Sequence, residues 1–164
     1  MADSGYLREI YEASYRRLVA QAYAVAGDRV EAEDAVQEAF ARAVAAGDRF
    51  RRVDNPEAWL RTVALNVIRR RWRRARMFRL LSPKLATPTD VPGISEDHLA
   101  VVEAMRAVPL QQRETLALFY LADLSVQEIA ATLKVADGTV KSRLNRGRTA
   151  LAEQLRSTVE ADRG

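Results

Sequence analysis

Lys141, Ser142, Arg143, Asn145, Arg146 and Arg148 crowd one short stretch near the C-terminus. Held on one helix, these are the side-chain types that reach base edges and phosphates in a major groove. A second basic stretch lies mid-chain, where Arg69 to Arg76 holds six arginines in eight residues around Trp72. From Arg61 to Arg76 there are seven arginines and no acid, a charge of +7 in a chain whose net charge is +4. Arginines this dense repel one another unless something pairs them, and a helix charged this way usually meets a polyanion. A third group has the opposite sign: Asp34, Gln37 and Glu38. Two carboxylates invite acid–base catalysis, but no nucleophile or metal-binding partner accompanies them. The single histidine, His98, sits beside Glu96 and Asp97 and is expected on the surface without a metal. No phosphate-binding loop, catalytic triad or metal-ligand spacing is present. The expectation is a protein that is not an enzyme and has no cofactor and no small-molecule substrate.

The elements that must position these groups are helical. Alanine, leucine, valine and arginine dominate, with only 7 glycines and 5 prolines in 164 residues. No run rich in Val, Ile and Thr alternates in polarity, so no strand is expected. A hydrophobic content of 48% and a charged content of 29% are ordinary for a globular protein. The absence of cysteine removes disulfides and thiol-ligated zinc. The N-terminus lacks the pattern of a signal peptide, and no apolar run approaches the roughly eighteen residues that span a bilayer. A cytoplasmic protein without membrane insertion is expected. Its pI near 9.7 points to nucleic acid.

A first helix is expected over Tyr6–Ala26, its apolar face made by Leu7, Ile10, Tyr11, Leu18, Ala22 and Val25, with Ser4 as cap and Gly27 at its end. A second, over Arg29–Ala46, begins at a capping pair, Asp28 and Glu31. It packs through Val36, Ala39, Phe40 and Ala43 and turns Asp34, Gln37, Glu38 and Arg42 outward. Gly47 to Pro56 is expected as a loop. Asn55 before Pro56 then starts a third helix, running to about Arg76. Trp59, Leu60, Val63, Ala64, Val67 and Ile68 share its packing face, while Thr62, Asn66, Arg69 and Arg73 form a separate polar stripe. Residues 77–97, with Pro83, Pro88, Pro92 and Gly93, suit a flexible linker.

The helical period returns in a helix capped by Ser95 and carrying Leu99, Val102 and Met105. After Pro109 comes another helix, about Gln111 to Ala122. Ser125 and Glu128 open a helix that ends near Leu133. The short turn Lys134–Ala136 leads to a last helix from about Asp137 to Leu155. The final two helices form a helix-turn-helix: Ala130 is small where they cross, and Ile129 and Val140 are apolar where they pack. The helix start at Gly138-Thr139 offers backbone N–H groups to a phosphate. The fold class is therefore all-α: two small helical domains, 1–76 and 98–164, joined by a flexible linker, 77–97, with the helix-turn-helix in the second.

Two separated motifs resemble one family. Ala32-Glu33-Asp34-Ala35-Val36-Gln37-Glu38-Ala39-Phe40 resembles the polymerase-binding helix of the extracytoplasmic-function (ECF) class of bacterial RNA polymerase sigma factors, in the sigma-70 superfamily. Trp59-Leu60-Arg61 through Asn66, followed by arginines, resembles the next helix of that domain. Val108-Pro109, Arg113, Leu124-Ser125, Glu128-Ile129-Ala130 and Gly138 to Leu144 resemble the C-terminal domain of the same class. The match runs from about Leu7 to Leu155.

The resemblance implies an alternative sigma factor whose partners are core RNA polymerase, promoter DNA and, by class, an anti-sigma factor. Asp34, Gln37 and Glu38 would bind the clamp helices of the β′ subunit, and the C-terminal domain would meet the β flap. The loop from Phe50 to Pro56 would capture a flipped base of the minus-ten element. Asn66 would contact bases at its upstream edge, with Arg69, Arg70 and Arg73 on phosphates. Thr139, Lys141, Ser142, Arg143, Asn145 and Arg146 would read the minus-thirty-five element. Three positions depart from the class: Arg69 replaces a frequent Asp, Gly147 a usual alanine and Lys134 the usual turn glycine. Two rivals use the same residues differently. A stand-alone helix-turn-helix regulator would have no use for the acidic motif. An RNA-binding protein or nuclease would use the arginine helix, but the nuclease lacks a catalytic constellation.

Overall fold

In a computed structural model, residues 2–78 and 95–164 are described. All regular structure among them is α-helical. The chain divides into two compact units, Met1–Gly93 and Ile94–Gly164. Of the expected linker, residues 79–94 lie outside the described residues. The helix before it runs on to Phe78, and the helix after it begins at Glu96, as a Ser95 cap implies.

The first unit contains α1 (Ala2–Ala26), α2 (Arg29–Ala46), a single turn α3 (Asp48–Arg51) and α4 (Pro56–Phe78). Helices α1, α2 and α4 pack pairwise against each other. Alanine makes this close approach workable. Ala32, Ala35, Ala39 and Ala43 of α2 are all buried, interleaved with Val36 and Phe40. Leu18 to Ala26 of α1 and Leu60, Ala64, Leu65, Val67 and Ile68 of α4 complete the core. The helix boundaries follow local chemistry. Asp28 accepts from the Glu31 N–H at 3.1 Å, and Asn55 Oδ1 accepts from the Ala58 N–H at 3.0 Å. Gly27 and Gly47 close α1 and α2 at positive φ, which glycine adopts without steric cost. Ser4 is not the cap of α1, since the helix already begins at Ala2.

One buried residue corrects the sequence reading of this unit. Arg61, only 8% exposed, is a structural residue and not part of a cationic surface. Its Nε donates to Gln21 Oε1 at 2.8 Å. Glu57, one turn earlier, takes a two-pronged contact from Arg17 at 3.1 and 3.0 Å, which holds Arg17 more firmly protonated than usual. These bonds tie α1 to α4. Tyr11, Tyr15 and Phe40 form a second α1–α2 contact, with Tyr11 and Tyr15 stacked at 4.5 Å. Burial raises the pKa of Tyr15 above its ordinary 10.0, although a hydrogen bond with Gln37 pulls the other way. The fold therefore favours the neutral phenol. The resulting stabilisation is full below pH 10 and is lost as the pH rises through the raised value. Tyr15→Phe should flatten that alkaline loss in a thermal-melt series across pH.

The second unit contains α5 (Glu96–Met105), α6 (Leu110–Tyr120), α7 (Val126–Leu133) and α8 (Asp137–Arg163). Ser95 caps α5, and Ser125 caps α7 by accepting from the Glu128 N–H at 3.1 Å. Val102, Met105, Val108, Leu116, Leu118, Ile129, Leu133, Val140 and Leu144 form the core. Arg113, 2% exposed, donates from Nε and Nη2 to the Val108 carbonyl at 3.3 and 3.1 Å, which fastens the α5–α6 connection. Lys134 adopts the left-handed conformation, φ 57° and ψ 48°, as the turn demands. For a lysine that costs roughly 1–2 kcal/mol.

Gly147 is not merely a weak point in the last helix. It is buried where α8 crosses α6, and a Cβ there would lie 3.0 Å from Leu116 Cδ1 and 3.1 Å from its Cγ. The helix-propensity cost of glycine, about 1 kcal/mol, is exchanged for this close approach. Gly147→Leu should destabilise the second unit by about 1–3 kcal/mol through overpacking, read as a lower denaturation midpoint.

Candidate nucleic-acid interface

Helix α8 sorts its residues by angle. Val140, Leu144 and Gly147 are buried on one side, and Ser142, Asn145 and Arg146 stand exposed on the opposite side. Lys141 is exposed on one flank, while Thr139 and Arg143 are half-buried on the other. All six expected residues therefore belong to one convex surface. Arg148 is different. Its Nε donates to the Tyr120 hydroxyl at 2.7 Å, and its guanidinium lies 5.4 Å from the Phe119 ring centroid. It ties α8 to the end of α6. No side chain caps the start of α8, where Ala136 is the N-cap residue. Its first N–H groups are thus held by no side-chain acceptor, an arrangement suited to a phosphate oxygen.

On α4, Asn66 and Arg73 are exposed, and Thr62 and Arg69 are half-buried. Arg69 Nη1 donates to Asn66 Oδ1 at 3.3 Å. The departure from aspartate at 69 thus changes what Asn66 can offer, because one lone pair of its carbonyl is taken by Arg69. Arg70, one turn after Asn66, is exposed at the edge of this stripe. It lies 3.6 Å from Glu38 of α2.

Phe50 corrects the expected base-capturing loop. It is 3% exposed, with its ring 5.0 Å from Trp59 and 6.3 Å from Tyr6. A ring enclosed by two other aromatics belongs to the core and cannot hold a base. It anchors the loop, whose exposed residues are Arg51, Arg52, Asp54 and Asn55. Glycine at 47 and the capping by Asn55 were legible signals for the loop ends. The single turn α3 between them carries Phe50 inward.

Asp34 and Gln37 are exposed on α2, and Glu38 is partly so. This face is more engaged than the sequence suggested. Glu38 receives Arg42 at 2.8 Å as well as Arg70, and Arg71 lies 3.9 Å from both Asp34 and Glu38. Arg71, absent from the sequence-based site, is thus the residue that bridges the two acids. Among the described residues no group of three or more His, Cys, Asp or Glu could hold a metal ion. No described helix is long and apolar enough to cross a membrane.

Known proteins with the same arrangement identify the chain. The model of Sigma-70 region 2 matches residues 10–77, and that of Sigma-70, region 4, matches residues 98–151. The ECF RNA polymerase sigma factor SigL of Mycobacterium tuberculosis is 32% identical over 155 residues, spanning 88% of this chain and 85% of SigL. SigW of Bacillus subtilis is 31% identical, spanning 92% of this chain and 85% of SigW. Among solved structures, the sigma factor RpoE of Bartonella quintana, crystallised with the anti-sigma factor NepR, superposes with a TM-score of 0.72 at 28% identity. That alignment covers 93% of this chain and 96% of RpoE. The chain belongs to the ECF RNA polymerase sigma factors.

Proposed function

We propose a division of labour for this alternative sigma factor, which binds core RNA polymerase and promoter DNA. The exposed acidic face of α2, through Asp34, Gln37 and Glu38, takes the clamp helices of the β′ subunit, and the C-terminal unit meets the β flap. Asn66 reads bases at the upstream edge of the minus-ten element, while Arg69, Arg70 and Arg73 grip phosphates there. The exposed loop residues after Phe50 receive the flipped base. Thr139, Lys141, Ser142, Arg143, Asn145 and Arg146 read the minus-thirty-five element. The observation that carries this reading is the clean separation on α8: apolar residues inward and the base-reading side chains together on the outward surface.

The protein forms no bond of its own, so bond-making belongs to the polymerase and no cofactor is needed. Its work is to place the enzyme and trap melted DNA, offsetting an unstacking cost of a few kcal/mol per step. It acts in the bacterial cytoplasm, where an anti-sigma factor controls it by covering the same surfaces. The assignment of Asn66 is tested on a promoter pre-melted across the minus-ten element. If Asn66 reads those bases, Asn66→Ala loses discrimination between minus-ten variants. Unaltered discrimination would remove Asn66 from the base-reading set.

A further inference from the structure

The arginine run of α4 contains no acid, and close like charges in one helix destabilise it. The fold supplies the missing counter-charge from α2. Arg70 lies 3.6 Å from Glu38, and Arg71 lies 3.9 Å from Asp34 and 3.9 Å from Glu38. The acids concerned are those assigned above to polymerase, and the arginines belong to the segment assigned to promoter phosphates. One set of ion pairs therefore joins the two binding surfaces. The side chains are 37–53% exposed, so the pairs are weak and open readily.

Resting on the functional reading above, we propose that these pairs couple the two surfaces, so that each ligand releases charge for the other. In the free protein, Arg70 and Arg71 mask part of the acidic face, and Asp34 and Glu38 hold back part of the cationic one. A basic partner that takes the carboxylates frees both guanidinium groups for phosphate. A polyanion that takes the arginines uncovers the acids. Coupling of this kind is reciprocal: whatever factor DNA adds to polymerase affinity, polymerase adds to DNA affinity. Arg71 is the central residue because it touches both carboxylates. Arg42, 2.8 Å from Glu38 and on the same helix, leaves Glu38 partly neutralised in either state, which makes the coupling graded.

The test needs no polymerase. The full chain is titrated with a fluorescein-labelled single-stranded DNA oligonucleotide over a series of salt concentrations. Four proteins are compared: the unaltered chain, Asp34→Asn with Glu38→Gln, Arg70→Ala with Arg71→Ala, and all four changes together. Removing the acids should raise DNA affinity about three- to tenfold at low salt, as two weak surface pairs allow. It should also steepen the salt dependence, because freed arginines displace further counterions. In the Arg70→Ala, Arg71→Ala background the gain should disappear. A gain of equal size in both backgrounds would mean only that negative charge was removed from the general field, and the coupling would be rejected. The same holds if removing the acids changes nothing. If removing the two arginines leaves DNA affinity untouched, the phosphate role of this segment is contradicted instead. Matching far-ultraviolet circular dichroism for the four proteins ensures that folded chains are compared.

Discussion

Replacing Asp34 and Gln37 together by alanine should weaken binding to core RNA polymerase by at least about tenfold and leave the first unit folded. Both side chains are exposed, on the side of α2 away from its buried Ala32, Ala35, Val36, Ala39, Phe40 and Ala43. Neither is the N-cap; Asp28 does that work. Alanine is the better helix former at both positions. Among the described residues, the losses within the fold are the long contact from Arg71 to Asp34 and the hydrogen bond between Gln37 and Tyr15. Surface contacts of that kind are worth about 1 kcal/mol or less each. At an interface the balance differs, because truncating one side of a desolvated charge pair leaves its partner unpaired and costs about 2–5 kcal/mol. The melting temperature should stay within a few degrees while affinity falls. Co-elution with core at unchanged concentration would count against this face.

Arg146→Ala should lower discrimination between good and poor minus-thirty-five sequences by about 1–3 kcal/mol, the range expected for losing one two-pronged base contact. Arg146 is exposed on α8, with Ser142 one turn before it and Asn145 beside it, away from the buried Val140. Arg148, two residues later, is held by Tyr120 and should act differently. Its loss would loosen α8 on α6 and weaken binding to all sequences together. Competition binding across a panel of minus-thirty-five variants separates the two. An equal loss on every sequence for Arg146→Ala would make it a phosphate contact and remove it from the reading set.

Local signals carried most of the fold in the sequence. The capping residues Asp28, Asn55, Ser95 and Ser125 each satisfy a backbone N–H three residues on, as their side-chain types and spacing implied. The left-handed conformation of Lys134 agrees with its standing where the family usually has a turn glycine. Interactions between distant positions were not legible. Arg61 lies forty residues from Gln21 in sequence, and periodicity alone cannot tell a buried arginine with a partner from an exposed one. The same limit hid Arg70 and Arg71 against the α2 acids and gave the arginine run a more uniform role than it has. The resemblance to the family puts Phe50 in a DNA-contacting loop. Its burial depends on Tyr6 and Trp59, which only the packed helices bring near. Gly147 stands where the family usually has alanine, and its reason, the close approach of Leu116, is likewise visible only in the packed helices. Helix α8 outran its expected end near Leu155 because residues 156–163 contain no glycine or proline to break it.

The central claim is that this chain gives polymerase its choice of promoter. The direct measurement is run-off transcription with purified bacterial core RNA polymerase, the full chain and a library of upstream regions. The account predicts transcripts from a subset of the library sharing one minus-ten and one minus-thirty-five element, and none when the chain is omitted. No complex with core and no chain-dependent transcript from any member would contradict it.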